Sequence, residues 1–410
     1  MNTAAISIDR FAATVTVTGT VCPACARSDA RVFYEVSAVP VQDARLMASY
    51  EEAVGCQKGD IRLAFCPGCG FIWNTAFEPA LVEYSDEYEA TQAFSPTFNS
   101  FHRELARYLV DRYQLVGKEV VEIGCGEGEF LALLREHGVR QATGFDPVAR
   151  GTLKLPAGAA LVKDWYSEKY ANLRPDLILS KMVMEHIPDP GRFLKMLRQS
   201  LGDREDVVAF AMIPDVVRIL QARCFWDIYY EHCSYFSRGS LARAFRAAGF
   251  KVSELATEFG DQYAAIGAVP GSAGPTLKAE ETPEQLSQLV DEFSREIKQL
   301  QLRWRRWFRS QRERGGRVVL WGGASKAVAF LTTLGIEPKD IEFAVDISPR
   351  RPGTYIAGTG QRIVGPGFLK EYRPDAVVIM NPIYRGEIAR QLAELGLAPR
   401  LLSVEDELVG

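Results

Sequence analysis

Between residues 119 and 128 the chain reads Glu-Val-Val-Glu-Ile-Gly-Cys-Gly-Glu-Gly, and nothing else in its 410 residues restricts the fold so tightly. An apolar β-rich run that breaks into closely spaced glycines, and then into the helical stretch FLALLREHG, reads as a strand, a tight turn and a helix start. Gly124 and Gly126 let the backbone turn against a ligand, and the helix behind them presents free N–H groups to it. A second short strand, ATGFD, ends at Asp146. Its carboxylate is placed to accept hydrogen bonds from both hydroxyls of a ribose, as in the rule of an acidic residue about 20 positions beyond the turn.

The surrounding sequence repeats this alternation. VVEIG, QATGFD, LILSK and VVAFAMI alternate with helical stretches such as GRFLKMLRQSLG, the pattern of a parallel sheet with crossover helices, so the expected class is α/β. After a break at PGSAGPT comes a long helical segment, PEQLSQLVDEFSREIKQLQLRWRRWFRSQRER. A second strand and glycine turn, VVLWGGASKAVAFL, follows, with another strand ending in Asp346. We divide the chain into residues 1–80, residues 81–275, and residues 276–410, the last a helical linker plus a second α/β unit. The linker carries Leu300, Trp304, Trp307 and Phe308 on one stripe with Arg303, Arg305, Arg306, Arg309 and Arg312 around it. That reads as a core stripe with a solvated or interdomain arginine face.

Residues 1–80 contain short β-like runs and four of the eight cysteines, as Cys22-Pro-Ala-Cys25 and Cys66-Pro-Gly-Cys69. Two matched pairs at tight turns make a tetrahedral four-sulfur cage that suits zinc, and a cage closed by protein ligands stabilises a fold rather than catalyses. Redox pairs are the alternative. Cys56, Cys125, Cys224 and Cys233 read as small buried hydrophobes. The stretch between the pairs, residues 26 to 65, is long enough to reach over a neighbouring site.

Composition narrows the partners. With 47% hydrophobic and 24% charged residues and a formal net charge of −4, no broad electrostatic attraction draws nucleic acid or an anionic membrane. A small-molecule partner and a monomer or homodimer are expected. The opening MNTAAISIDRFAATVTVTGT lacks the charged start and long apolar run of an export signal, and no stretch approaches the roughly 20 apolar residues of a membrane span. A cytoplasmic location is the expectation.

Two of the four histidines, at 102, 137, 186 and 232, fall in polar, motif-like settings. His186, in SKMVMEHIPDP, lies just past the strand DLILS, where the carboxyl ends of a parallel sheet open onto a ligand crevice. Packing at a strand–helix junction is its bland reading. His232 closes the cluster Asp227-Ile-Tyr229-Tyr230-Glu231-His232. An imidazole near its ordinary pKa of about 6.5 accepts a proton at neutral pH, and a neighbouring carboxylate or phenol can fix its tautomer. A satisfied structural histidine is the alternative.

The G-x-G-x-G turn with Glu122 in the preceding strand resembles class I S-adenosylmethionine-dependent methyltransferases. That resemblance implies a Rossmann-like domain with Glu122, Gly124, Gly126, Gly128, Asp146, Pro147 and Ser180 around S-adenosylmethionine, and Asp164 and Trp165 near its adenine. A helix N-cap is the competing role for Asp164. Taken in order, the Cys-x-x-Cys pairs, the E-H-I-P and Y-x-E-H stretches and a second α/β unit resemble the deoxysugar C-methyltransferases of antibiotic pathways over nearly the whole chain. The implied fold is a class I methyltransferase domain flanked by a small N-terminal zinc-binding domain and a C-terminal Rossmann-like α/β domain. The implied substrate is a nucleotide-linked 4-keto deoxysugar. A base removes the proton beside the ketone, and the enolate carbon attacks the methyl sulfonium. Tyr229, Glu231 and His232 match that family's Y-x-E-H residues, His186 its pocket histidine and Tyr88 its tyrosine near the end of the zinc domain. Either His232 or Tyr229 is the base in this reading, with Tyr230 nearby on the substrate.

The chain departs from that pattern in two places. Glu258-Phe-Gly260-Asp-Gln262 stands where the family commonly has His-Gly-Gly-Ser, and Asn381-Pro-Ile-Tyr384 where it has Trp-Asn-His. Both departures bear on the acceptor, leaving open O- or N-methylation or another carbon of a small metabolite. In the third region Ser325, Lys326 and Asp346, with Asn381 and the TYIAGTG loop at 354 to 360, are candidates for the nucleotide end of the substrate. A plain packing domain is the alternative there, and a non-catalytic binding protein is the alternative for the whole chain.

Overall fold

Glu119–Ile123 is an inner strand of a seven-stranded sheet because four of its five side chains are buried, as a parallel strand covered on both faces requires. In spatial order the sheet runs Phe250–Glu258, Tyr263–Pro270, Val208–Pro214, Leu177–Lys181, Glu119–Ile123, Gln141–Phe145 and Ala159–Val162. The last five are parallel, and the first two form an antiparallel hairpin on the Val208–Pro214 edge. The chain winds outward from Glu119–Ile123 and then returns to pair Leu177–Lys181 on its other side. That reversal opens a crevice at the strands' carboxyl ends. The computed structural model describes residues 6–7, 21–84, 87–89 and 91–408. Most of the first twenty residues, on which the expectation about an export signal rests, lie outside them.

A second, all-parallel sheet repeats the device. Its order is Arg362–Val364, Phe343–Val345, Val318–Trp321, Ala376–Ile379 and Arg400–Ser403, with the winding reversed between Val318–Trp321 and Ala376–Ile379. The cysteine-bearing region is an antiparallel sheet of Arg31–Pro40, Lys58–Phe65 and Ile72–Asn74, completed by Ser234–Tyr235. A strand from the sequence next to His232 is therefore built into the N-terminal sheet.

The helix Pro283–Glu313 fastens these units. It starts at a capping box formed by Thr282 and Gln285. Phe293 meets Tyr34 edge-on at 5.5 Å, and about three turns later Trp304 meets Phe330 of the C-terminal unit at 5.2 Å. Its arginine face is mostly exposed, yet Arg305 donates to the Thr333 and Leu334 carbonyls and Arg312 pairs with Asp340 at 2.6 Å. No helix among the described residues is long and apolar enough to cross a membrane.

Candidate active site

The glycine turn comes directly off its strand. Gly124 has φ +69°, and a Cβ there would lie 2.3 Å from Val183 Cγ2, so both conformation and space require glycine. The turn is clasped by Asp146, whose two oxygens accept from the Gly126 and Val148 N–H groups at 2.9 and 3.0 Å. Burial raises the Asp146 pKa and these bonds oppose it. Beside them is a cavity of about 170 Å³ lined by Gly124, Asp146, Pro147, Asp164, Trp165 and Tyr166, among others. Asp164 accepts from the Trp165 N–H at 2.8 Å and the Tyr170 hydroxyl at 2.7 Å and pairs with Lys169, which holds its carboxyl low. It caps no helix: the next helical turn, Glu168–Tyr170, begins after Ser167.

Two members of the expected cofactor group stand apart. Gly128 starts the helix Glu129–Glu136 and Ser180 is buried within its strand; neither lines this cavity or the larger one beside it. Strand alternation turns Ser180 away and brings Lys181 round to the crevice, where it pairs with buried Glu122 and lies 3.8 Å above the Phe130 ring. Burial raises the Glu122 pKa, and Lys181 opposes the shift.

The small cavity adjoins one of about 830 Å³ that spans the crevices of both parallel sheets. Tyr88, Gly124, Asp146, Val148, Met182 and His186 line both, so these residues mark the junction. The His186 and His232 rings stand edge to face with centroids 4.8 Å apart, and Tyr229 lies 4.1 Å from His232. Burial lowers both histidines, His186 to about 4 and His232, also beside His186, far below its ordinary value. Each therefore waits as a neutral imidazole, the form that accepts a proton. Burial raises Tyr229 well above 10.

Glu231 faces the N-terminal unit. Its carboxyl accepts from the Asp43 N–H at 2.9 Å and from Tyr88, while the Asp43 carboxylate accepts from Ser325 at 2.6 Å. One polar chain thus joins all three regions at the cavity wall, with Asp43 supplied by the stretch between the cysteine pairs. Burial raises both carboxyls, Asp43 to about 6 and Glu231 well above 4.5. Tyr230 is not with them. Its ring is fully buried against Phe77 at 5.3 Å, and its hydroxyl accepts from the Glu78 N–H at 2.9 Å, which corrects its expected place beside the substrate. Consecutive residues in this turn diverge, and Tyr230 is the one that anchors the N-terminal sheet.

In the C-terminal unit Asp346 clasps its glycine turn as Asp146 does, accepting from the Gly323 and Ser348 N–H groups at 2.8 Å each. Ser325 and Lys326 line the large cavity, but both are already engaged by carboxylates, Ser325 by Asp43 and Lys326 by Asp227. Burial lowers the Lys326 pKa to about 8. Asn381 also lines this cavity. The 354–360 loop contributes no lining residue to either cavity. Asp43, Glu185 and Arg351 are among the lining residues that the sequence does not single out. Only Glu185 carried a signal, its place beside His186. Arg351 is 4% exposed and donates to the Gly323 carbonyl at 3.0 Å, which nothing in SPRRPG foretells.

The four cysteines of the two pairs line neither cavity; they converge with their sulfurs within 4.8 Å of one another. Cys22 and Cys69 are 3.6 Å apart, and Cys25 and Cys66 3.5 Å. Tetrahedral zinc with bonds of about 2.3 Å needs sulfurs about 3.8 Å apart, so donor set and spacing fit that ion.

Comparison with known proteins accords with this geometry. A family model described as a methyltransferase domain matches residues 97–255, and one described as a C-methyltransferase C-terminal domain matches residues 273–398. The chain is 26% identical to C-methyltransferase NovU of Streptomyces niveus over 94% of its own length and 98% of the relative's. Similar solved structures include an S-adenosylmethionine-dependent methyltransferase of Mesorhizobium loti, at 15% identity and TM-score 0.33 over 40% of this chain and 97% of that one. Another is the dimethyltransferase RosA of Streptomyces davawensis, at 18% and 0.35 over 43% and 55%. The chain is an S-adenosylmethionine-dependent methyltransferase. Within that class it is a C-methyltransferase related to NovU.

Proposed function

We propose that the chain methylates a carbon beside the ketone of a nucleotide-linked deoxysugar. The observation that carries this reading is the convergence of His186, Tyr88 and the His232–Tyr229 pair where the two cavities meet. In it, Gly124, Gly126 and Asp146 would hold S-adenosylmethionine, Asp164 and Trp165 would stand near its adenine, and the bound cofactor would supply an electrophilic methyl group. His232 takes the proton from the acceptor carbon. Charging an imidazole in a dry wall is costly, and the cost is offset as negative charge grows on the enolate beside it. His186 and Tyr88 orient the sugar, and Glu231, itself held by the Asp43 N–H, fixes Tyr88. The electron pair of the broken carbon–hydrogen bond forms the new carbon–carbon bond. The sulfur–methyl bond breaks with its pair left on sulfur, so that S-adenosylhomocysteine is the leaving group, and the proton passes from His232 to solvent.

The large cavity reaches the second crevice, where Trp321, Asp346 and Asn381 sit. The nucleotide end belongs there in this reading, with the three units acting as zinc, catalytic and nucleotide domains. Cys22, Cys25, Cys66 and Cys69 hold a structural zinc. The enzyme works in the cytoplasm as a monomer or homodimer on a small, water-borne substrate.

His232→Ala should abolish turnover while S-adenosylmethionine affinity stays within about twofold; undiminished turnover removes His232 as the base. A substrate deuterated beside its ketone should lose that label on methylation. Retained label assigns the methyl group to an oxygen or nitrogen instead.

A further inference from the structure

The foot of the glycine turn holds a buried ion pair that the methyl-transfer chemistry does not use. Glu122 and Lys181 sit on paired strands, and their side chains are 1% and 8% exposed. Both line the large cavity beside Gly124, Cys125 and Gly126. Desolvating two charges costs much of what their attraction returns, so stability alone is a weak reason for such a pair.

The pair is also incomplete. Glu122 Oε2 is buried without a hydrogen-bond partner, and the Lys181 ammonium has three N–H donors, of which the Glu122 bond uses one. Lys181 opposes the rise that burial imposes on the Glu122 carboxyl, holding it toward its ionised form. Arg103 and Arg150 line the same cavity, paired with Glu136 and Glu127 at 3.2 Å each. Their side chains are 64% and 26% exposed, so water screens them more than it does Lys181. The Lys181 charge is felt in the cavity: burial, and then this charge, lower the lining residue His102 to about 3.

Gly124 and Asp146 line both cavities, so an elongated ligand that crosses at the turn has one end in each. S-adenosylmethionine has an adenine at one end and a zwitterionic amino acid at the other. With Asp164 and Trp165 near the adenine in the small cavity, the amino-acid end falls to the large one. Its ammonium and carboxylate share one carbon, and Glu122 and Lys181 present the two complementary charges in contact, so the wall gains no net charge on binding.

We propose that Glu122 and Lys181 together form the receptor for the amino-acid end of the cofactor, with Lys181 donating to its carboxylate and Glu122 Oε2 accepting from its ammonium. Lys181 is then the residue that selects a cofactor with an intact carboxylate, whatever acceptor the enzyme methylates.

Calorimetry of the full chain with three ligands tests this without turnover. S-adenosylhomocysteine carries both charges, its decarboxylated analogue only the ammonium, and methylthioadenosine neither. The wild type should bind the first at least about tenfold more tightly than the second, the size of a hydrogen bond to a charged group. In Lys181→Met that preference should vanish while methylthioadenosine affinity is unchanged. Should this variant fail to fold because it strands Glu122, the double variant Glu122→Gln/Lys181→Met strands no charge and should lose the preference likewise. A wild type that does not distinguish S-adenosylhomocysteine from its decarboxylated analogue would overturn the receptor. So would either variant that keeps the wild-type preference, or a Lys181→Met that weakens all three ligands alike, as a purely structural pair would.

Discussion

Gln262 and Asn381 face each other amide to amide, each donating to the other's oxygen at 3.0 Å. They belong to the two stretches, Glu258–Gln262 and Asn381–Tyr384, in which the sequence departs from the deoxysugar enzymes it otherwise resembles. Gln262 precedes the last strand of the central sheet, and Asn381 follows an inner strand of the C-terminal sheet. The departures are therefore one feature, a saturated joint between two units at the wall of the large cavity.

Because both amides are buried, removing one leaves the other without a partner, at a cost of about 1–3 kcal/mol. Asn381 also accepts from the Ile383 N–H at 3.2 Å, so Asn381→Ala should cost more than Gln262→Ala. The double variant should cost less than the two singles combined, since neither amide is then stranded. Denaturant unfolding of the three variants measures this coupling, and strict additivity would mean that the joint contributes nothing as a pair.

The cofactor turn makes a sharper prediction. Gly124→Ala places a methyl group 2.3 Å from Val183 Cγ2 on a left-handed backbone, so binding of S-adenosylhomocysteine should fall below detection in calorimetry. Asp146→Ala removes the clasp on Gly126 and Val148 and should weaken binding about tenfold or more, the size of a lost charged hydrogen bond. Unchanged affinity in Asp146→Ala would place the ribose elsewhere.

Much of this was legible in the sequence because it rests on local pattern. Glu119–Ile123 and its glycine turn declare themselves by hydrophobic run and spacing, and the same grammar marks Val318–Trp321. The paired Cys-x-x-Cys turns are equally local. What stayed hidden depends on long-range placement. Asp43 reaches Glu231 across 188 residues and Ser325 across 282, contacts that no periodicity encodes. Tyr230 was misplaced because neighbouring residues in an irregular turn diverge, and nothing in Tyr-Tyr-Glu-His says which ring goes to the core. Ser325 and Lys326 occupy the expected helix start, but the carboxylates that engage them come from other units.

Zinc removal tests the cysteine cage separately from catalysis. After mild chelation that strips loosely held ions, one zinc per chain should remain in the wild type and none in Cys66→Ser, by elemental analysis. Because such a site binds its metal only when folded, its binding energy is folding energy. Cys66→Ser should therefore melt markedly lower and lose the N-terminal sheet's protection from proteolysis. Zinc retained at full stoichiometry in Cys66→Ser would refute a four-sulfur cage.

Stability should also fall with rising pH through two buried carboxyls. Burial raises Asp43 to about 6 and Asp215 to about 7 in the folded chain, against about 3.9 when unfolded. A group with a raised folded pKa binds its proton more tightly in the native state. Its contribution is complete below about pH 4 and is lost as pH climbs through the folded values. Asn is nearly isosteric at both places. At 43 its oxygen can still accept from Ser325, and at 215 it can still cap the helix Val216–Ala222 by accepting from the Val217 N–H. Asp43→Asn and Asp215→Asn should thus gain on the wild type between pH 5 and pH 8, because neither variant carries a charge that must be buried at the higher pH. Thermal unfolding at the two pH values measures the gain. A difference between variant and wild type that does not change with pH would mean that these carboxyls ionise in the native state as freely as in the unfolded one.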